Sequence, residues 1–366
     1  MEFSIDIDLC KIRQARLLDV IHAKGLTGAV VFQNAHVQWL TGVYTSPLFC
    51  AAAFLDSDGE LTLIAPHKIP EEYAADSVER YDAKFHSTMR NDQNLACVQK
   101  LAEVIGKQSG PLGVEYSSYG IHSRELIADR VEDIEPDLLY FRRRKDADEL
   151  AKIQHAINAT EKMYVRAREI IRPGITEIEV FNELQSVAVE HFGEAMTGTG
   201  NDYQCGSRGG LPRNNREAQP GELYILDLGP AFRGFYADNA RTIAVSDPTE
   251  DQTKAWEYIM KAFEHVESEV RPGKSCKGVF EEVQEILDQS PVGVFNHHLG
   301  HGIGMFPHEA PHLNPNWDDT FEVGDVFTAE PGLYDVELLK AGMRIENDYV
   351  VTESGVQKLT DFPLNL

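Results

Sequence analysis

The chain has 366 residues, 42% hydrophobic and 25% charged, the balance of an ordinary globular protein, and its length accommodates roughly two domains of about 150 residues. Its formal net charge of -25 repels phosphate backbones and anionic membrane surfaces, so neither nucleic acid nor a membrane is an expected partner. The N-terminus, MEFSIDIDLCKIRQ, lacks a basic lead before an apolar core, and the longest apolar run, Leu48 to Leu55, falls far short of the roughly 18–20 residues that span a bilayer.

In chain order, the spacing predicts a helix over residues 8 to 23, stopped at Lys24-Gly25. Short apolar runs at Ala29–Phe32, Leu48–Leu55 and Leu61–Ala65 are bounded by turn-forming residues, as buried strands are. A polar helix over about 92 to 107 and a strand at Leu112–Val114 complete an expected α/β domain spanning residues 1–140. Its His22, His36, His67, His86 and His122 are isolated and are read as surface or packing residues. The five cysteines (Cys10, Cys50, Cys97, Cys205, Cys276) are scattered without a CxxC pair. They read as free thiols of a reducing compartment, which puts the protein in the cytoplasm.

The boundary is expected in the charge-rich stretch Phe141–Asp148, and a second domain in residues 148–366. Glu149–Ile171 carries helical spacing and ends at Arg172-Pro173-Gly174, after which Thr176 and Glu179 form a capping box for the next helix. The same register returns later: RPGITEIEVFNELQ (172–185) and RPGKSCKGVFEEVQ (271–284) share Arg-Pro-Gly, then Thr/Ser, Val-Phe, Glu and Gln at equal offsets. Such a repeat implies two similar halves, each a helix, an RPG turn, a second helix and a strand pair. The first pair is expected at Leu223–Leu228 and Tyr236–Val245, the second at Val326–Tyr334 and Met343–Val351.

These pairs place Asp227 with Asp238, and Glu330 with Glu346, while His301 lies in a glycine-rich stretch that would let its ring approach a metal closely. Aspartate is disfavoured in mid-strand, so Asp227 in Tyr-Ile-Leu-Asp-Leu is informative. Carboxylates converging on one buried site repel one another and lose hydration, and therefore call for cations. Two Asp, two Glu and one His suit a pair of hard or borderline divalent metals: manganese first, with cobalt, zinc or iron as alternatives. Three other patterns fail. His308-Glu309-Ala310-Pro311-His312 fits the zinc-protease HExxH pattern, but Pro311 breaks the helix that pattern needs. Gly273-Lys274-Ser275 lacks the first glycine of a phosphate loop, and Gly300–Gly304 lacks dinucleotide spacing.

The motifs DLG…DNART, GHGIGMFPHEAP, AEPGLY and RIEND resemble the pita-bread metallopeptidases, the family of methionine aminopeptidase, aminopeptidase P and Xaa-Pro dipeptidase. The resemblance implies an α+β pita-bread catalytic domain of two pseudo-symmetric halves, preceded by an α/β domain of the creatinase/prolidase type. It implies that Asp227 binds one metal, that Asp238 and Glu346 bridge two, and that His301 and Glu330 complete the second site. It also implies a metal-bridging hydroxide as nucleophile, Glu330 as its proton acceptor, His308 as an oxyanion donor, a role for His297 beside them, and Arg344 orienting the ligands. The activity implied is hydrolysis of small peptides as an Xaa-Pro dipeptidase or aminopeptidase, by a homodimer. A creatinase-like amidinohydrolase or a lyase on the same fold is the alternative. Where proline-specific members carry a histidine in a Leu-Pro-His-Gly-like turn, this chain has Leu211-Pro212-Arg213-Asn214, three residues closer to Asp227. Arg213 is thereby a candidate to hold a substrate carboxylate. Asn239-Ala240 also stands where an apolar residue and threonine are usual.

Overall fold

The computed structural model describes residues 3–66 and 68–366; His67, one of the histidines set aside above, lies outside the described residues. The chain divides into two compact units, one ending at Arg142 and one spanning Arg143–Leu366.

In the first unit, the helix Ile7–Lys24 starts where the Asp6 carboxylate accepts from the Leu9 N–H and ends at Gly25 in a left-handed conformation, φ 63°. A six-stranded mixed sheet runs in the order Ser77–Tyr81, Leu61–Pro66, Ala52–Asp56, Gly28–Val31, Leu112–Val114, Val131–Asp133. The predicted strand at Leu48–Leu55 begins only at Ala52, and a helix that the sequence reading missed, Asn34–Thr41, follows the first strand. Another missed helix, Glu135–Arg143, runs into the charge-rich stretch read as a boundary. His36 is fully buried: its Nδ1 bonds the Glu115 carboxylate and its Nε2 lies 2.9 Å from Arg142. Burial would raise the Glu115 pKa, but the His36 ring, the Ser118 hydroxyl and the Phe32 N–H outweigh it and hold it low.

The second unit repeats itself as its sequence does. The helix Ala147–Ile170 is followed by Gly174 at φ 88°, then by a helix Glu177–Phe192 with the Thr176/Glu179 capping box closed at both ends. The helix Glu250–Glu269 is followed by Gly273, also at φ 88°, and by a helix Cys276–Leu287 capped by Ser275. Gly174 donates to the Ala218 carbonyl and Gly273 to the Phe321 carbonyl, so each turn docks on the segment that leads into its own strand pair. The copies differ where their residues do. Gly278 stands where Glu179 stands in the first copy, so Ser275 caps without a reciprocal partner.

The first half carries a three-stranded antiparallel sheet, Asn239–Ala244, Leu223–Leu228, Asp202–Cys205; the second carries five strands ordered Glu309–Leu313, Gly300–Gly302, Val326–Ala329, Asn347–Val351, Val356–Lys358. Three predicted strands are shorter than expected, and each is interrupted at an acidic residue. Asp238 falls between Phe235–Tyr236 and Asn239–Ala244, Glu330 between Val326–Ala329 and Gly332–Leu333, and Glu346 between Met343–Arg344 and Asn347–Val351. A continuous strand alternates its side chains between two faces; breaking the ladder frees a carboxylate to turn inward. Among these four acids, Asp227 alone stays inside a regular strand, opposite Ala240. The halves are stitched together beside these breaks: the Glu346 N–H donates to the Ala240 carbonyl, and the Arg344 N–H to the Thr242 hydroxyl. The apolar core of the second half packs Ile259, Phe263, Val279 and Val283 against Phe327, Leu333 and Tyr349.

Candidate metal centre

The strand breaks bring all five predicted donors together. Asp227, Asp238 and Glu346 each place one oxygen within 4.8 Å of the others, and His301, Glu330 and Glu346 do the same with nitrogen and oxygens. The two clusters share Glu346, as two adjacent cation sites would. His301 Nε2 lies 3.4 Å from Glu330 Oε1 and 3.8 Å from Asp238 Oδ2, while its Nδ1 sits 3.1 Å from the Gly302 carbonyl. That leaves Nε2 as the atom facing the carboxylates. The flanking glycines lie in a strand rather than a turn: a Cβ on Gly300 would collide with the Thr328 carbonyl and one on Gly302 with the Ala310 carbonyl. Close packing of neighbouring backbones is what requires them. Glu309–Leu313 is a strand, so the HExxH pattern has no helix to act from.

The electrostatics call for cations. Burial, then repulsion from Asp227 and Glu330, drives the Asp238 pKa well above the usual carboxylate range. Burial, then Asp238 and Asp227, does the same to Glu346. Glu346 Oε2 is buried with no hydrogen-bond partner among the described residues, the state expected of an oxygen that faces an ion. Glu330 goes the other way: burial pushes it up, but the His298 hydrogen bond and the surrounding imidazoles hold it down at about 2. Burial lowers His301 to about 3, so it presents a neutral ring with a free lone pair. Oxygen and imidazole donors with an unpartnered buried carboxylate oxygen therefore fit divalent ions.

Around this centre, His298 Nε2 is 2.8 Å from Glu330 Oε1, closer than His297 Nδ1, 3.4 Å from Oε2. The sequence reading favoured His297; the nearer ring is His298. His308 is exposed at the edge and stacks on His301 with centroids 3.7 Å apart. Arg344 NH2 contacts Asp227 Oδ2 at 2.8 Å and also Asp202, so its bonds are split between two carboxylates. NH1 reaches the Tyr334 hydroxyl and the Arg208 carbonyl, each at 3.3 Å. Neither Asp202 nor Asp348 figured among the predicted residues. Asp348 is fully buried and accepts from Asn239 Nδ2 at 3.0 Å, and Asn239 also donates to Thr360, which accounts for asparagine after Asp238.

Arg213, the candidate for a substrate carboxylate, is paired within the protein. Its backbone N–H, Nε and NH2 all donate to the enclosed Glu177 carboxylate, at 2.7, 3.1 and 2.6 Å, and NH2 also reaches the Cys205 carbonyl. The pair anchors the loop before Asp227 to the start of the helix Glu177–Phe192. Burial alone would raise the Glu177 pKa; the Arg213 bonds and the Cys205 N–H lower it. A depressed folded-state pKa stabilises the fold above the unfolded value, about 4.3, and that stability is lost as pH falls through the folded value. Arg213→Met should therefore cost about 1–2 kcal/mol at pH 7, less than the roughly 3–5 of a fully buried pair because Arg213 is partly exposed and screened. Urea denaturation of both proteins should show that difference shrink below about pH 4; a pH-independent difference would assign the cost to packing instead.

Two half-domains that converge five oxygen and imidazole donors on one buried centre define a pita-bread metallohydrolase. Residues 151–353 match the metallopeptidase family M24 and residues 13–138 the creatinase/prolidase N-terminal domain; the chain belongs to family M24. It is 26% identical over 354 residues to the Xaa-Pro dipeptidase of Pyrococcus furiosus, covering 96% of this chain and 98% of that protein. It is also 26% identical to the Xaa-Pro dipeptidase of Lactobacillus delbrueckii subsp. lactis over 361 residues, covering 94% and 95%. The fold of the prolidase from Pyrococcus horikoshii superposes with a TM-score of 0.81 at 23% identity, covering 97% of this chain and 99% of that one.

Proposed function

We propose that the protein hydrolyses dipeptides or short peptides with proline after the scissile bond, using two divalent ions held by Asp227, Asp238, His301, Glu330 and Glu346. The observation that carries this reading is the pair of donor clusters sharing the buried Glu346. Two ions bound there would polarise the scissile carbonyl and lower the pKa of a water. Glu330, kept ionised by His298 and its neighbouring imidazoles, takes the proton that the reaction releases. One side of His308 is exposed, but its packing against His301 desolvates the other and lowers its pKa, so at neutral pH its ring is neutral and keeps one N–H to offer a developing oxyanion. His297 and His298 hold the Glu330 carboxylate in place, and Arg344 fixes the outer oxygen of Asp227. A surface hollow of about 460 Å³ adjoins His297 and His298 on their side away from the donors, lined by Phe280, Gln284, Asn296 and Asn314, and none of the five proposed metal ligands lines it.

Manganese is the proposed metal, with cobalt, zinc and iron as alternatives that the same donors accept. Five cysteines without a disulfide support a cytoplasmic enzyme, and a homodimer is the proposed assembly, which light scattering would report. Elemental analysis of the purified protein should find about two divalent ions per chain, and a panel with added manganese should show proline released from Ala-Pro. Metal-free protein that still cleaves, or loaded protein that leaves every Xaa-Pro peptide intact, would overturn the reading.

A further inference from the structure

With Arg213 committed to Glu177, the loop before Asp227 still offers another cation. Arg208 is exposed, and its guanidinium lies over the Tyr334 ring, 3.8 Å from the centroid. Among the described residues it forms no ion pair with a carboxylate. The neighbouring cations are occupied: Arg344 holds Asp227 and Asp202, and Arg241 donates to the carbonyls of Ala240, Glu346, Phe362 and Pro363.

The position of Arg208 is fixed by the centre itself. Its carbonyl accepts from Arg344 NH1, the same guanidinium that binds Asp227. The Gly210 N–H donates to Asp202 Oδ1 at 2.6 Å, and the Tyr203 N–H to the Gly210 carbonyl, so the turn closes over the Asp202–Arg344 pair. Gly209 and Gly210 adopt φ of 141° and 127°, and a Cβ on Gly209 would strike the Asp202 carboxylate. This turn therefore needs glycine on the C-terminal side of Arg208. Tyr334 completes the link, its hydroxyl accepting from Arg344 NH1 while its ring carries Arg208.

Stacking on an aromatic ring uses the face of a guanidinium and leaves its in-plane N–H donors free, the fork that matches a carboxylate. A carboxylate substrate also needs such a cation here, because the site is lined by acids on a chain of net charge -25. We propose that Arg208, held on Tyr334, is the specificity-determining residue that takes the C-terminal carboxylate of a dipeptide-sized substrate. The proposal rests on the peptide-hydrolase reading above and narrows it to a dipeptidase.

The test compares Ala-Pro with Ala-prolinamide on the manganese-loaded wild type, Arg208→Met and Arg208→Lys. The wild type should prefer the free acid. Arg208→Met should raise KM for Ala-Pro about 10- to 100-fold, the span of a charged hydrogen bond, with kcat and the kinetics on the amide little changed. Arg208→Lys should recover part of the preference. Equal losses on acid and amide, or a wild type that cleaves both equally well, would overturn the proposal. Calorimetry with proline and prolinamide separates it from the parent reading. If the wild type cleaves neither peptide, acid-selective binding that disappears in Arg208→Met still supports the carboxylate role, and binding without that selectivity sinks it.

Discussion

Glu346→Gln is expected to abolish turnover, lowering kcat by at least about a thousandfold, the scale on which metal activation operates, and to strip the purified protein of bound metal. The same substitution should make the metal-free protein more stable. Glu346 is 1% exposed, its Oε2 has no hydrogen-bond partner among the described residues, and burial together with Asp238 and Asp227 opposes its ionisation. Without cations, a buried carboxylate beside two others destabilises the fold at neutral pH whether it stays charged or takes up a proton. A neutral amide of the same shape removes that penalty. Thermal melts of chelator-treated samples should show Glu346→Gln several degrees above the wild type, at about 2–4 °C for each kcal/mol. Metal-loaded samples should show the reverse order, since only the wild type gains binding energy. An ordinary core residue would lower both melting points. A variant less stable in both states, or one that keeps its metal, would remove Glu346 from the shared position.

The opposite signs expected for the two states reflect what the sequence could and could not display. The RPG repeat was legible because its cause is local. A glycine at φ 88° and a Thr or Ser cap recur at fixed offsets in both copies, and turn chemistry is written in adjacent residues. The acids were legible as a set, because Asp227 interrupts an apolar run and the repeat pairs the others. Their local backbone was not: strands read as continuous through Asp238, Glu330 and Glu346 are broken there, and the reason lies across the domain, in the need to turn carboxylates toward one centre. The helix Asn34–Thr41 was missed for another reason. Its residues His36 through Thr41 are all buried and Gln33 makes no side-chain cap bond, so neither an amphipathic period nor a start signal exists to be read. Asp202 and Arg344 are 142 positions apart in the chain, and nothing near Asp202 announces that partner. Arg213 shows the converse case. A cation in the expected loop suggested a substrate contact, while its partner, the enclosed Glu177, lies on a helix that no motif linked to it.

Arg344 carries the second large expectation. It is 5% exposed and lies against three acids: Asp202, Asp227 at 2.8 Å, and Glu330, whose Oε2 is 3.9 Å from its Nε. Burial disfavours its charge, yet Asp227, Tyr334 and the other acids raise its pKa well above the ordinary arginine value. Arg344→Met should therefore leave the partly buried Asp202 and Asp227 without their counter-charge and cost the metal-free protein about 2–4 kcal/mol, somewhat below the roughly 3–5 for breaking one side of a fully buried pair because both aspartates keep some solvent. Activity should fall by roughly 10- to 100-fold, as for residues that orient a metal ligand, because Asp227 loses the contact that fixes its outer oxygen. Burial already pushes the Asp202 pKa up despite Arg344, so the orphaned aspartate should be a large part of the stability loss. Adding Asp202→Asn to Arg344→Met should then restore stability without restoring turnover, since the orientation of Asp227 would still be lost. Urea denaturation of the chelated single and double variants measures the first claim, and Ala-Pro hydrolysis with added manganese the second. A double variant no more stable than Arg344→Met would show that Asp202 is not held there by charge. One that regained activity would mean that Arg344 serves catalysis only by neutralising Asp202.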